Sequence, residues 1–174
     1  MKKTILPILS VFLLASCMSS RPVSTYMVES VAETFPSSTP RISLRKLVVP
    51  THLDTGQLVI RKSDVEIVVR RHEQWGVNFR RMIQDALSRE LAKVPELPDG
   101  AAFTADIIFN RFEAQGKRLC VDAVVCICPQ KKGEARSKRI AFELPWDGSS
   151  FPELASLHID AIRRIAGDIA ALTE

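Results

Sequence analysis

Two groups of cysteines carry most of the chemical potential of this 174-residue chain. Cys17 follows Leu14-Ala15-Ser16, and ahead of it lie a basic start, Lys2-Lys3, and an apolar run from Thr4 to Ala15 broken mildly by Pro7 and Ser10. The run is shorter than the roughly 20 apolar residues of a spanning helix, and it fits the apolar region of a secretory signal. Small residues ahead of Cys17 let the chain lie extended in a peptidase cleft. Cys17 offers a thiol for diacylglycerol transfer, and a cut between Ser16 and Cys17 leaves it as the first residue. The chemistry expected at Cys17 is therefore lipid attachment, in which each buried methylene contributes about 0.8 kcal/mol.

Cys120, Cys126 and Cys128 share parity, so on a strand they face one side, with Leu119, Val121, Ala123, Val125 and Ile127 on the other. Residues two apart on a strand stand about 6.6–6.8 Å apart with parallel side chains, which disfavours a Cys126–Cys128 disulfide. Cys-x-Cys with a third thiol suits soft-metal capture or redox work. Free cysteine is also a small buried hydrophobe, and the reading taken is three structural thiols packed under a helix. His52, His72 and His158 have no ligand-like spacing, and no phosphate loop, nucleophile elbow or HExxH stretch is present. A periplasmic hydrolase or thiol enzyme is accordingly the weakest of three function classes. No catalytic residue, metal ligand or cofactor site is expected. Trp75 and Trp146 read as apolar lids beside helices, and Lys131 to Arg139 as a solvated hairpin tip.

Composition agrees with one ordinary domain: 46% hydrophobic and 25% charged residues leave enough apolar side chains for a core. The net charge of +4 includes Lys2 and Lys3, which a cut before Cys17 removes. So mild a charge, with 6% aromatic residues, argues against nucleic acid as a partner.

The elements that must position these groups are legible from periodicity. Residues 1–17 are the lipoprotein signal segment, cut so that Cys17 is kept and lipidated, and 18–40 a Ser/Thr/Pro-rich tether with a short strand possible at 25–29. Residues 41–174 form the domain. Ile42 to Val49, Gln57 to Arg61 and Val65 to Val69 read as strands. From Trp75 to Val94, Phe79, Met82, Ile83, Ala86, Leu87, Leu91 and Val94 recur at helical spacing. Phe103 to Ala114, Leu119 to Cys128 and Lys138 to Leu144 form a meander. Phe151 to Leu172 is a second helix, opened by the capping spacing Ser150-Phe-Pro-Glu153. The fold class is α/β: a single domain, a mixed sheet of about five to six strands covered by two amphipathic helices.

Leu14-Ala15-Ser16-Cys17 resembles the lipobox of bacterial lipoproteins. Met18 follows the cysteine instead of the aspartate that retains such proteins at the inner membrane, which implies the periplasmic face of the outer membrane. A second resemblance runs from Leu47-Val-Val-Pro50-Thr-His-Leu53-Asp54-Thr-Gly-Gln57-Leu-Val-Ile-Arg61 through Val65-Glu66 to His72-Glu-Gln-Trp75. This stretch is similar to the ABC-type transport auxiliary lipoproteins that accompany paraquat-inducible (Pqi-type) operons. In that family a strand ends in Pro, Leu-Asp and a Gln-hydrophobic-Arg strand follow, and a Trp opens the first helix. Tyr26-Met27-Val28 looks like its tyrosine-containing first strand. The chain departs at His52, where tyrosine is usual, at Thr55-Gly56 and at Gly76-Val77-Asn78.

The resemblance implies a non-enzymatic part of an intermembrane lipid-transport system. Its partners would be a mammalian-cell-entry (MCE) domain protein of the inner membrane with its permease, outer-membrane lipids through Cys17, and further copies of itself. Leu53, Asp54, Gln57, Arg61 and Trp75 are the candidate partner or motif surface. They equally suit a motif that pins the sheet to the first helix, with Arg61 answering an acid such as Glu66. The alternative is a structural or assembly lipoprotein of another envelope complex.

Overall fold

The structure, a computed structural model, describes residues 21–28, 41–97, 100–131 and 133–174. Cys17, its cleavage site at Ser16, and most of the tether lie outside them. In chain order the elements are β1 (Ser24–Tyr26), β2 (Ile42–Val48), a 3-10 turn (Thr51–Leu53), β3 (Gln57–Arg61) and β4 (Ile67–Trp75). There follow α1 (Phe79–Ala92), β5 (Phe103–Gln115), β6 (Arg118–Pro129), β7 (Arg136–Pro145) and α2 (Phe151–Ala171).

The seven strands make one mixed sheet in the order β1-β4-β3-β5-β6-β7, with β2 also on β5. That is more than the five to six expected, and the addition is short: β1 has three residues and pairs in parallel with Glu73–Trp75 of β4. β5 is the spine. One side pairs along its whole length with β6, antiparallel, through a two-residue turn in which Gly116 takes φ 60°, as the first central residue of a II′ hairpin must. On the other side β2 pairs in parallel with Phe103–Ile108 and β3 with Ala114–Gln115. β2 and β3 are thus two pieces of one interrupted lane beside β5, and the eight residues between them leave the sheet.

Both helices lie on one face, so the architecture is a two-layer α/β sandwich. Phe112 is fully buried and meets Phe79 of α1 edge-on at 5.8 Å and His158 of α2 at 5.0 Å. Leu119, Val121, Ala123, Val125 and Ile127 all point into this core. A bulge between Phe109 and Arg111 lets both Phe109 and Phe112 face it, stacked at 4.9 Å. α2 begins where the capping spacing puts it, with Ser150 Oγ accepting from the Glu153 amide at 3.3 Å. Beside that start Trp146 is buried and donates Nε1–H to the Ser150 carbonyl at 2.9 Å.

Two expectations change. Trp75 closes β4 instead of opening a helix, because Gly76-Val77-Asn78 breaks the helical run. Asn78 then caps α1, its side chain accepting from the Arg81 amide at 3.3 Å. The cysteine parity holds, but the thiols lie on the opposite face of the sheet, the helix-free face, which carries no helix among the described residues. Cys120 is buried there among side chains of the sheet itself, and Cys126 and Cys128 are half-buried with sulfurs 3.9 Å apart.

Candidate functional site

The interruption between β2 and β3 is where the chain places its densest polar chemistry. After Pro50 the 3-10 turn forms, the Leu53 amide donating to the Pro50 carbonyl at 2.9 Å. Leu53 drops into the core at 4% exposure, so it anchors the loop and is not part of its surface. His52, next to it, turns to the helix-free face, where its Nε2 lies 2.5 Å from Glu113 Oε2. Arg61, five residues into β3's lane, donates Nε–H to Glu113 Oε1. Arg111 adds a second guanidinium at 3.9 Å.

Glu113 is 1% exposed, and an unpaired carboxylate at that depth would cost several kcal/mol, so these partners are a condition of the fold. Each carboxylate oxygen has a close partner, and the side chain is out of contact with solvent. Arg61 therefore answers Glu113. Glu66, the acid expected for it, pairs with Lys62 at 2.9 Å across the β3–β4 turn.

The rest of the loop ties three elements together. The Trp75 amide donates to the Gly56 carbonyl at 2.8 Å, and the Phe79 amide to the Thr55 carbonyl at 2.9 Å. The second bond satisfies a first-turn amide of α1 that has no partner inside its own helix. Arg80 closes the seam on Asp54 at 3.0 Å. Trp75 is 6% exposed and packs on Phe79 at 5.5 Å and His158 at 5.1 Å. Of the five residues singled out from the sequence, Leu53 and Trp75 are core, and Arg61 is a half-buried ion-pair partner. Asp54 and Gln57 alone are exposed at the loop's rim.

The helix-free face has its own order. Arg45 grips Asp106 through two bonds of 2.9 and 2.6 Å, Arg139 grips Asp122 at 2.9 and 2.8 Å, and Arg118 meets Glu143 at 2.8 Å. Arg45 and Arg139 hold the Asp106 and Asp122 carboxyls below the usual carboxylate range. Burial holds the thiols of Cys120 and Cys126 above the ordinary cysteine value, with Cys128 adding to the shift at Cys126. They stay protonated at neutral pH, which is the reverse of an activated nucleophile.

His158 sits at 2% exposure among Trp75, Phe79 and Phe112, donating Nδ1–H to the Leu154 carbonyl at 2.7 Å. Burial lowers its pKa to about 4. Among the described residues no group of three or more His, Cys, Asp and Glu side chains could hold a metal ion. Nor is any helix there long and apolar enough to cross a membrane.

Sequence reasoning missed Glu113. It stands in a strand among apolar neighbours, and its partners His52 and Arg61 are 61 and 52 residues away. The one available signal was an acid at a strand position with no charged neighbour of opposite sign on its own face except Arg111.

A family model described as "ABC-type transport auxiliary lipoprotein component" matches residues 27–170. Among curated proteins nothing matches. Two crystal structures share the fold. One, of an uncharacterized protein, has a TM-score of 0.67 at 16% identity over 88% of this chain and 99% of its own. The other, of a Xanthomonas campestris protein of the DUF330 family, has a TM-score of 0.63 at 13% identity over 84% and 92%.

Proposed function

The chain belongs to the family of ABC-type transport auxiliary lipoprotein components, and from that membership we propose that it is the membrane-anchored, non-enzymatic docking part of an intermembrane lipid-transport system. In this reading residues 1–16 are removed and Cys17, the new first residue, is lipidated. The chain then faces the periplasm from the outer membrane and meets an MCE-domain protein of the inner membrane with its permease. The family match over 27–170 carries the reading.

The geometry supports a docking role in a specific way. Asp54 and Gln57 form an exposed rim, and Leu53, Arg61 and Trp75 hold that rim rigid through the core and the Glu113 ion pair. A loop locked by hydrogen bonds to two elements loses little entropy when a partner binds it.

The test is recovery of the full-length, lipidated, tagged chain from detergent-solubilised envelopes, with its companions identified by mass spectrometry. An MCE-domain protein and a permease are expected among them. Recovery with components of an unrelated envelope assembly, and no MCE-domain protein, would overturn the reading in favour of a structural or assembly lipoprotein.

A further inference from the structure

The sequence gives Cys17 a long leash, residues 18–40, but the fold takes most of it back. β1 is hydrogen-bonded to β4 from Ser24 on, the Gly76 amide donates to the Tyr26 carbonyl at 2.7 Å, and Val28 is 1% exposed in the core. Only six residues, Met18 to Val23, separate Cys17 from the first paired residue. At full extension that gap spans about 25 Å.

The direction of β1 adds to this. It runs parallel to β4 with Ser24 opposite Glu73, so going backward from Ser24 is going backward along β4. Cys17 lies seven residues before Ser24, and seven residues before Glu73 stands Glu66, in the β3–β4 turn. The six intervening residues therefore hold a lipidated Cys17 within about 25 Å of Ser24, where the chain enters the β1–β4 side of the sheet.

That side is also where the apolar exposure lies. Of the eight large apolar side chains exposed among the described residues, three lie on the β3–β4 turn and the first half of β4, Val65, Ile67 and Val69, and a fourth, Val23, immediately precedes β1. Val65, at the apex of the β3–β4 turn, is 97% exposed. β1 pairs with Glu73–Trp75 alone, so among the described residues no strand lies beside the outer edge of β4 from Ile67 to His72. Single exposed apolar residues are ordinary, but a cluster at an open strand edge within reach of an anchor is a surface that needs cover. Charge does not oppose it: Lys62 neutralises Glu66 at the turn, leaving Asp64, and two exposed arginines, Arg21 ahead of β1 and Arg71 on β4, add positive charge.

We propose that the β3–β4 turn and the open edge of β4 rest on the lipid leaflet that holds Cys17, with Val65 entering the headgroup region. The inference rests on the lipidation of Cys17 argued above. It fixes the domain's orientation. The rim at Asp54–Gln57, paired with Gln74 at the opposite end of the β3–β4 hairpin, then points away from that membrane.

The test uses the full lipidated chain in vesicles of phosphatidylethanolamine and phosphatidylglycerol. The background carries serine at Cys120, Cys126 and Cys128, and an environment-sensitive fluorophore is placed at Val65→Cys or, as control, at Val124→Cys on β6. With brominated acyl chains, the Val65 probe is expected to shift to the blue and lose most of its fluorescence, the Val124 probe to change in neither respect. Hydrogen exchange of the unsubstituted lipidated chain is the second reading: amides from residue 63 to 67 slow on vesicles relative to the unlipidated chain. A chain that floats with the vesicles while both readings stay unchanged overturns the orientation and leaves the anchor standing. A chain matured in cells with Cys17 intact that acquires no lipid and stays off the vesicles overturns both.

Discussion

Glu113 shows what single residues do here. Its carboxylate is out of water, and Arg61 and His52 are the reason it can be. Arg61→Ala should cost about 3 kcal/mol of unfolding free energy, because it strands a buried charge, whereas Arg61→Leu combined with Glu113→Leu should recover most of that. Urea denaturation of the unsubstituted chain, Arg61→Leu, Glu113→Leu and the double variant measures it, and a double-variant loss equal to the sum of the two single losses would mean the pair does not act as a unit. His158 gives a pH signature. The unfolded imidazole takes a proton near 6.5, but the buried one only near 4, so between those values the unfolded state binds more protons. Stability should be highest above pH 6.5, fall by about 3 kcal/mol as pH drops to 4, and lose this contribution's slope below that. His158→Leu should flatten the profile between pH 6.5 and 4.5 in chemical denaturation. Neither residue was legible in the sequence as a structural centre. An acid in a strand and a histidine in a helix look like surface until the fold shows what covers them.

Among the elements, the two helices were legible almost to their ends, since apolar spacing over three to five turns leaves few alternatives. Ser150 was readable as a cap. Ser150→Ala should lower stability by about 1 kcal/mol without loss of helical signal in circular dichroism. The meander was legible from its alternation, and so was the parity of its cysteines. Which face the helices would cover was not, because both faces of β6 carry small or apolar residues and the choice is made by β2 and α1 far away in sequence. Trp75 was misplaced for a related reason. Local pattern continues the helix back to it, whereas pairing with Tyr26 and Gly56 draws it into the sheet. β1 itself depends on Val28 for its hold on the core. Val28→Asp should release residues 21–28 to protease while leaving α1 and α2 intact, and mass spectrometry of a limited digest would show the difference.

The whole molecule reads as a short-tethered, two-layer domain with two working ends. The turn at Lys62–Glu66 lies toward the proposed anchor, and the rim at Asp54–Gln57 lies at the other end of the same hairpin. Cys17→Ser should release the chain from the outer-membrane fraction of a density gradient without altering its folding. What the sequence left open at this scale was distance. A Ser/Thr/Pro-rich stretch reads as reach until β1 is seen to be docked. The central claim is that the rim meets an inner-membrane MCE-domain protein while the turn stays at the lipid. A photoreactive residue placed at Gln57 in living cells tests it most directly. The account predicts a crosslink from Gln57 to an MCE-domain protein and none from Val65. A crosslink to that protein from Val65 with none from Gln57 would contradict it.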